Sequence, residues 1–369
     1  MRNLILIFGI FVLFGCNEEP EQPAITLPTD LNYTITVSPT IQGRVSVEAT
    51  AKKANFYSII FEDINEDIKE SNPEGKATHT FSKSGTYAIK IRAHAIESKF
   101  IELVDSVSVL VDETNTSGAP TSGYTSPLTY SNYNLVWNDE FNGNKLNAAD
   151  WNFELGTGNS GWGNNELQYY LKENTSVSDG VLTITAKKQA VNTSLYSSSR
   201  ITTQRKRSFK YGRIDIRAAL PKGQGMWPAL WMLGDNINTV SWPKCGEIDI
   251  MEMVGGTASG KSDRTIYGTL HWDNNNSHAE TGNSNVLPVG TFADEWHVFS
   301  IVWDENKIKW YRDNIQFSVV DITPPGLSEF HEKFFFIFNV AVGGNWPGNP
   351  DASTIFPQKM YVDYIRVFQ

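Results

Sequence analysis

Alternation of apolar and polar positions, with no long helical period, runs along most of this chain. Between Ala24 and Val111 it comes in short runs: Tyr33-Thr-Ile-Thr-Val37, Arg44-Val-Ser-Val-Glu48, Tyr57-Ser-Ile-Ile-Phe61, Tyr87-Ala-Ile-Lys-Ile-Arg92 and Val107-Ser-Val-Leu-Val111. Residues two apart on a strand share a face, so each run predicts a strand with one side in a core. Short strands at this spacing, with turn residues between them, predict a small β-sandwich over residues 24–112. A linker rich in Ser, Thr, Gly and Pro follows at 113–129. The pattern then resumes in Gly180-Val-Leu-Thr-Ile-Thr-Ala186, Arg213-Ile-Asp-Ile-Arg217, His297-Val-Phe-Ser-Ile-Val-Trp303, Lys307-Ile-Lys-Trp-Tyr311 and Phe334-Phe-Phe-Ile-Phe-Asn-Val340. Residues 130–369 therefore predict one large antiparallel sandwich, and the fold class is all-β throughout.

One strand pattern breaks the rule that strand interiors are apolar. Gly246-Glu-Ile-Asp-Ile-Met-Glu-Met253 sets Glu247, Asp249 and Glu252 among large apolar residues. Alternation places Glu247 and Asp249 on one face and Glu252 on the other, whereas one extra residue, a β-bulge near Met251, brings all three together. The Cα atoms of the two glutamates then lie ~13 Å apart, so their side chains must lean together on a curved sheet. Carboxyls packed this closely titrate as a set, with at least one holding its proton to a higher pH. A protonated acid beside an ionised one is the equipment of a retaining glycosidase. Acids on a solvated strand face would look similar, and the surroundings decide between the two.

Composition sharpens the picture in one respect. All eleven tryptophans follow residue 136, which assigns ligand binding to the second unit. Trp227 and Trp231 share a face by alternation, Trp242 closes the loop before the acids, and His271-Trp272 ends the next strand signal. Rings beside carboxylates suit sugars, which offer C–H faces to stack on and hydroxyls to hydrogen-bond.

These residues resemble the E-x-D-x-x-E signature of glycoside hydrolase family 16 in its laminarinase-like, bulged form. The resemblance extends through Asn138-Asp-Glu-Phe-Asn142, Gly161-Trp-Gly-Asn-Asn-Glu-Leu-Gln-Tyr-Tyr170, Tyr211-Gly-Arg213, Trp227-Pro-Ala-Leu-Trp231, Gly343-Gly-Asn-Trp-Pro-Gly348 and Tyr361-Val-Asp-Tyr-Ile-Arg-Val367. It implies a β-jelly roll over 130–369 with the acids along a concave cleft. It also implies Glu247 as nucleophile, Glu252 as acid/base and Asp249 as their assistant in retaining hydrolysis of internal β-1,3-glucosidic bonds. Trp227, Trp231, Trp242, His271, Asn164, Arg200 and Glu166 become candidate substrate contacts. A structural calcium ion is implied at Glu140, the Gly180 carbonyl and Asp363, with no metal in the chemistry. Laminarin-type β-1,3-glucan ranks first as substrate, mixed-linkage glucan second and agarose third. A transglycosylase and a non-catalytic glycan-binding protein stay open.

His79-Thr-Phe81 and Ser84-Gly-Thr-Tyr87 resemble the later half of a polycystic-kidney-disease-type immunoglobulin-like domain, although Phe61-Glu-Asp-Ile64 lacks the expected turn glycines. With no Trp, this unit reads as a spacer rather than a sugar binder. Met1-Arg2-Asn3, an apolar run from Leu4 to Phe14 and Leu13-Phe14-Gly15-Cys16 resemble a bacterial lipoprotein signal over 1–16 with Cys16 lipidated. Residues 17–23 are then a polar tether, and the address is a bacterial membrane, the outer one and its surface first. That leaves Cys245 as a lone thiol, expected to pack rather than react. A formal net charge of −10 argues against nucleic acid as a partner, and a monomer is expected. The basic run Arg205-Lys206-Arg207 reads as a solvated hairpin.

Overall fold

A computed structural model describes residues 25–38, 43–63, 67–81, 83–111, 118–257 and 260–369. The signal, Cys16 and the tether lie outside these residues, as does the first part of the linker. The chain divides into two compact units, the larger made of Val109–Gln369 with the short segments Ser38–Arg44 and Ser82–Ser84. Among the described residues no helix is long and apolar enough to cross a membrane.

The first unit packs a three-stranded sheet, Thr29–Val37, Arg44–Lys52 and Lys76–Thr80, and a four-stranded one, Asp67–Asn72, Phe56–Glu62, Gly85–Ile96 and Lys99–Val109. Val45, Val47, Ile59, Phe61, Ile89 and Ile91, all fully buried, are the inward members of the alternating runs. Asp67–Asn72 is a strand that hydrophobic alternation did not reveal, because its residues are nearly all polar and it pairs only with Phe56–Glu62.

The second unit is the expected sandwich. One sheet runs in the order His278–Val286, Thr265–Asp273, Glu247–Glu252, Met226–Gly234, Phe334–Val342, Arg200–Thr202 and Asn152–Glu154. The other holds Gly212–Ala219 and Gln358–Phe368 at its centre, flanked by Val181–Ala186 and His297–Trp303. Between them lies a core of Met226, Leu230, Met232, Ile248, Ile250, Met251, Trp303, Trp310 and alternate residues of Phe334–Val342. Burying each such side chain contributes about 1.5–3 kcal/mol.

Two glycines show how tightly this core fits the acid strand. A side chain at Gly268 would meet the Trp310 indole, whose Nε1 donates to the Asp249 carbonyl at 2.8 Å. Gly246, at φ 75°, lies where a Cβ would meet Glu329 and Phe334 at 2.9 Å.

Candidate active site

Strand register builds the site. Across the first sheet, Glu280, His271 and Glu247 form one row, and Thr269, Asp249, Trp231 and Ile337 the next. Tyr267, Glu252, Ala229, Asn339, Arg200 and Glu154 form a third. Trp231 pairs with Asp249 while its neighbour Leu230 pairs with Met251, so Ile250 is the extra residue. The bulge therefore lies at Ile250, beside Met251, where the sequence predicts it. It tucks Ile250 and Met251 both into the core and returns Glu252 to the face of Glu247 and Asp249.

Each acid has its own partner. The Trp242 indole donates to Glu247 Oε2 at 2.8 Å, and the Trp227 indole to Glu252 Oε1 at 2.9 Å. Asp249, 1 % exposed, has His271 Nε2 at 3.1 Å from its Oδ2, and the same nitrogen is 3.9 Å from Glu247 Oε1. Burial, reinforced by the neighbouring Asp249, lifts Glu247 to about 8. Burial and Glu247 lift Glu252 to about 7, and burial holds Asp249 well above the carboxylate range. Protons are therefore shared along the row at neutral pH, and its apparent titration steps belong to the set. A hydrogen bond between Glu247 and Asp249 favours the charged form of one and the neutral form of the other.

Trp231 donates to Asn339 Oδ1, and Asn339 donates in turn to the Tyr170 hydroxyl. The Arg200 guanidinium is held between the Trp162 and Trp231 rings, 4.5 and 4.9 Å from their centroids, with its Nε on Glu154. It is 8 % exposed, so its first task is to brace these rings. Glu166 accepts from Gln168 and Tyr170, with Asn164 Nδ2 at 3.4 Å, and burial raises its carboxyl. The loop that presents Asn164 and Glu166 turns through Gly161, where a Cβ would strike the Glu166 backbone at 2.5 Å.

The structure corrects two expectations. Trp272 faces Phe330 on the core side, since alternation opposes it to His271, so it does not ring the acids. Its place is taken by Trp346, whose ring meets those of Trp227 and Tyr267 edge-on at 5.6 and 5.0 Å. Trp346 sits in a turn, which alternation cannot orient. The basic run is not simply solvated: Lys206 donates to the Ala148 and Trp151 carbonyls and Arg207 pairs with Asp150.

Asn339 and Tyr170 were also missed as site residues. A single Asn in the otherwise apolar Phe334–Val342 was the available signal. Cys245 is fully buried, with its thiol pushed up to about 12 by burial.

Of the three positions for a calcium ion, Glu140 gives both carboxylate oxygens to Arg366 at 2.8 Å, and Asp363 Oδ2 accepts from Arg217. The Glu140 side chain is thus committed to a guanidinium. A dication there would draw on peptide carbonyls and the other Asp363 oxygen.

Comparison with known proteins points the same way. The family model described as glycosyl hydrolases family 16 matches residues 161–366, and one of beta-glucan synthesis-associated proteins matches residues 76–240. The clotting factor G alpha subunit of Tachypleus tridentatus is 42 % identical over 240 residues, 64 % of this chain and 34 % of the relative. Glucan endo-1,3-beta-glucosidase A1 of Niallia circulans is 41 % identical over 266 residues, 64 % of this chain and 38 % of the relative. This chain thus spans little more than a third of either relative. The catalytic domain of an endo-1,3-beta-glucanase (laminarinase) from Thermotoga petrophila superposes with a TM-score of 0.59 at 47 % identity, covering 64 % of this chain and 98 % of that one. With a family model spanning more than half of its length, this chain belongs to glycosyl hydrolases family 16.

Proposed function

We propose that this chain hydrolyses internal β-1,3-glucosidic bonds of laminarin-type glucans with retention of configuration. The observation that carries this reading is the acid row, with its end carboxyls each gripped by an indole N–H and all three lifted by burial. The relatives named as endo-1,3-beta-glucanases support the substrate class. At rest Glu247 holds the proton of its hydrogen bond with Asp249, and passing that proton to Asp249 frees Glu247 as the anion that attacks the anomeric carbon. Glu252 protonates the departing glycosidic oxygen, then takes a proton from the water that releases the sugar from Glu247. Trp227, Trp231, Trp242 and Trp346 are the stacking surfaces, with Asn164, Arg200, Glu166 and His271 beside them.

The clotting-factor relative does not carry a hydrolase's name, so a glycan binder without turnover is the rival. Product analysis on laminarin, lichenan and agarose separates the two, using wild type beside Glu247→Gln and Glu252→Gln. Rapid loss of laminarin viscosity and short β-1,3 oligosaccharides, absent with both variants, is the expected result. NMR of the first product should show the β-anomer. Binding without cleavage, equal in all three proteins, refutes the catalytic reading.

The same proposal includes anchoring through lipidated Cys16 at a bacterial outer membrane, for which the residues of the signal are the support. It also includes a monomeric state, a spacer role for the first unit and a calcium ion near Gly180 and Asp363 that ties chain segments together. Detergent partition that is lost in Cys16→Ser tests the anchor.

A further inference from the structure

Beside the acid row, three metal-ligating atoms converge that hydrolysis does not use. His271 and Glu280 are direct partners across the antiparallel pair Thr265–Asp273 and His278–Val286, and His278 lies two residues from Glu280 on the same face. His271 Nδ1 is 2.8 Å from His278 Nε2 and 3.3 Å from Glu280 Oε2, and the last two atoms are 3.8 Å apart. Nitrogen and oxygen donors at ~2.0–2.1 Å from a tetrahedral metal lie about 3.3 Å from one another. The observed triangle brackets that spacing.

Proton placement sharpens the case. The Nε2 edge of His271 faces Asp249 and Glu247, two acids that favour a proton on that nitrogen. Its Nδ1 is then a lone pair, turned toward a second imidazole and a carboxylate. A single proton on His278 Nε2 is shared at best between two acceptors, whereas one cation at the centre satisfies all three atoms. An imidazole ligand backed by a carboxylate on its other nitrogen is also the arrangement that strengthens metal binding. His278 and Glu280 are exposed, so water can reach the site and fill the fourth position.

We propose that His271, His278 and Glu280 bind a divalent metal of the zinc class at the rim of the acid row, and that its occupation slows the enzyme. A two-histidine, one-carboxylate set suits zinc rather than calcium, which prefers oxygen ligands throughout. Bound through Nδ1, the cation fixes the His271 ring, whose other nitrogen faces Asp249 and Glu247. It also stands beside Trp242, whose ring lies 4.8 Å from that of His278. Occupation therefore crowds the Trp242 ring, which holds Glu247 through its indole N–H.

The test is calorimetric titration of chelator-treated, tag-free full chain with zinc chloride, which needs no glycan and so stands even if the substrate assignment fails. One equivalent is expected, weakened at least ~10-fold in His278→Ala and in Glu280→Gln. Inhibition by zinc, scored against each protein's own metal-free rate, should weaken in parallel. Circular dichroism establishes that the variants are folded. Zinc binding that is undetectable in wild type, or unchanged in both folded variants, overturns the proposal.

Discussion

Replacing Glu247 by Gln should stabilise the protein above about pH 4.5, and increasingly so up to about pH 8. The carboxyl moves from an ordinary 4.5 to about 8 on folding, because the folded chain strips its water and sets Asp249 beside it. Between those values the folded state holds a proton that the unfolded state has lost. Stability therefore falls by about 1.4 kcal/mol per pH unit across that window, and the group's contribution is fully present only below about 4.5. Taken alone, the shift amounts to roughly 5 kcal/mol above pH 8. Protons redistribute along the row when one acid is removed, so a gain of ~2–5 kcal/mol is expected. For a unit of this size that raises Tm by roughly 5–15 °C. Gln keeps an oxygen for the Trp242 indole, so little else changes. Thermal unfolding of wild type and variant from about pH 4 to pH 9 reads the effect directly. Equal Tm differences at every pH, or a variant less stable in alkali, would falsify the argument that burial and mutual repulsion set the acids' protonation.

Three further outcomes follow from single contacts. Trp227→Phe keeps a ring but deletes the donor to Glu252, which should cost about 1.5–3 kcal/mol in kcat/KM on laminarin, roughly 10- to 150-fold, with the fold retained. Gly268→Ala drives a methyl into Trp310, whose nearest atom is 2.4 Å from the new Cβ, and should lower stability by ~1–3 kcal/mol in urea unfolding. Asp249→Asn can still donate to Glu247 and should retain far more activity than Asp249→Ala; equal losses in initial rate would mean that the proton on Asp249 does not matter.

The strands that carry the site were legible because alternation is a local signal. Trp227 and Trp231 share the cleft face, and in Arg44–Lys52 the apolar Val45, Val47 and Ala49 are buried between more exposed neighbours, where their period placed them. What failed was whatever the alternation of a segment's own side chains does not carry, or was read without it. Asp67–Asn72 is a strand because Phe56–Glu62 offers it hydrogen bonds, not because its side chains prefer one. Trp346 points into the cleft from a turn whose geometry is set by neighbours, and Trp272 was assigned to the acids by sequence proximity although parity opposes it to His271. Arg200 could be named from its motif, but only the packed structure shows two indole rings enclosing it.

A sheet can place three acids on one face in two ways. Regular alternation does it with one residue between Asp249 and the last glutamate. This chain has two, and without the bulge Glu252 would enter the core among Met226, Leu230 and Met253, an unpaired acid costing several kcal/mol. The extra residue Ile250 therefore does not create the shared face; it preserves that face while adding a core side chain and a local bend. The bend is what matters chemically, because a flat strand holds the end carboxyls ~13 Å apart at their Cα atoms and a retaining pair must close to about 5 Å. Trp227 and Trp242 each hold one glutamate through an indole N–H, so in the proposed mechanism the packing that buries Ile250 and Met251 also sets the reach between the two acids.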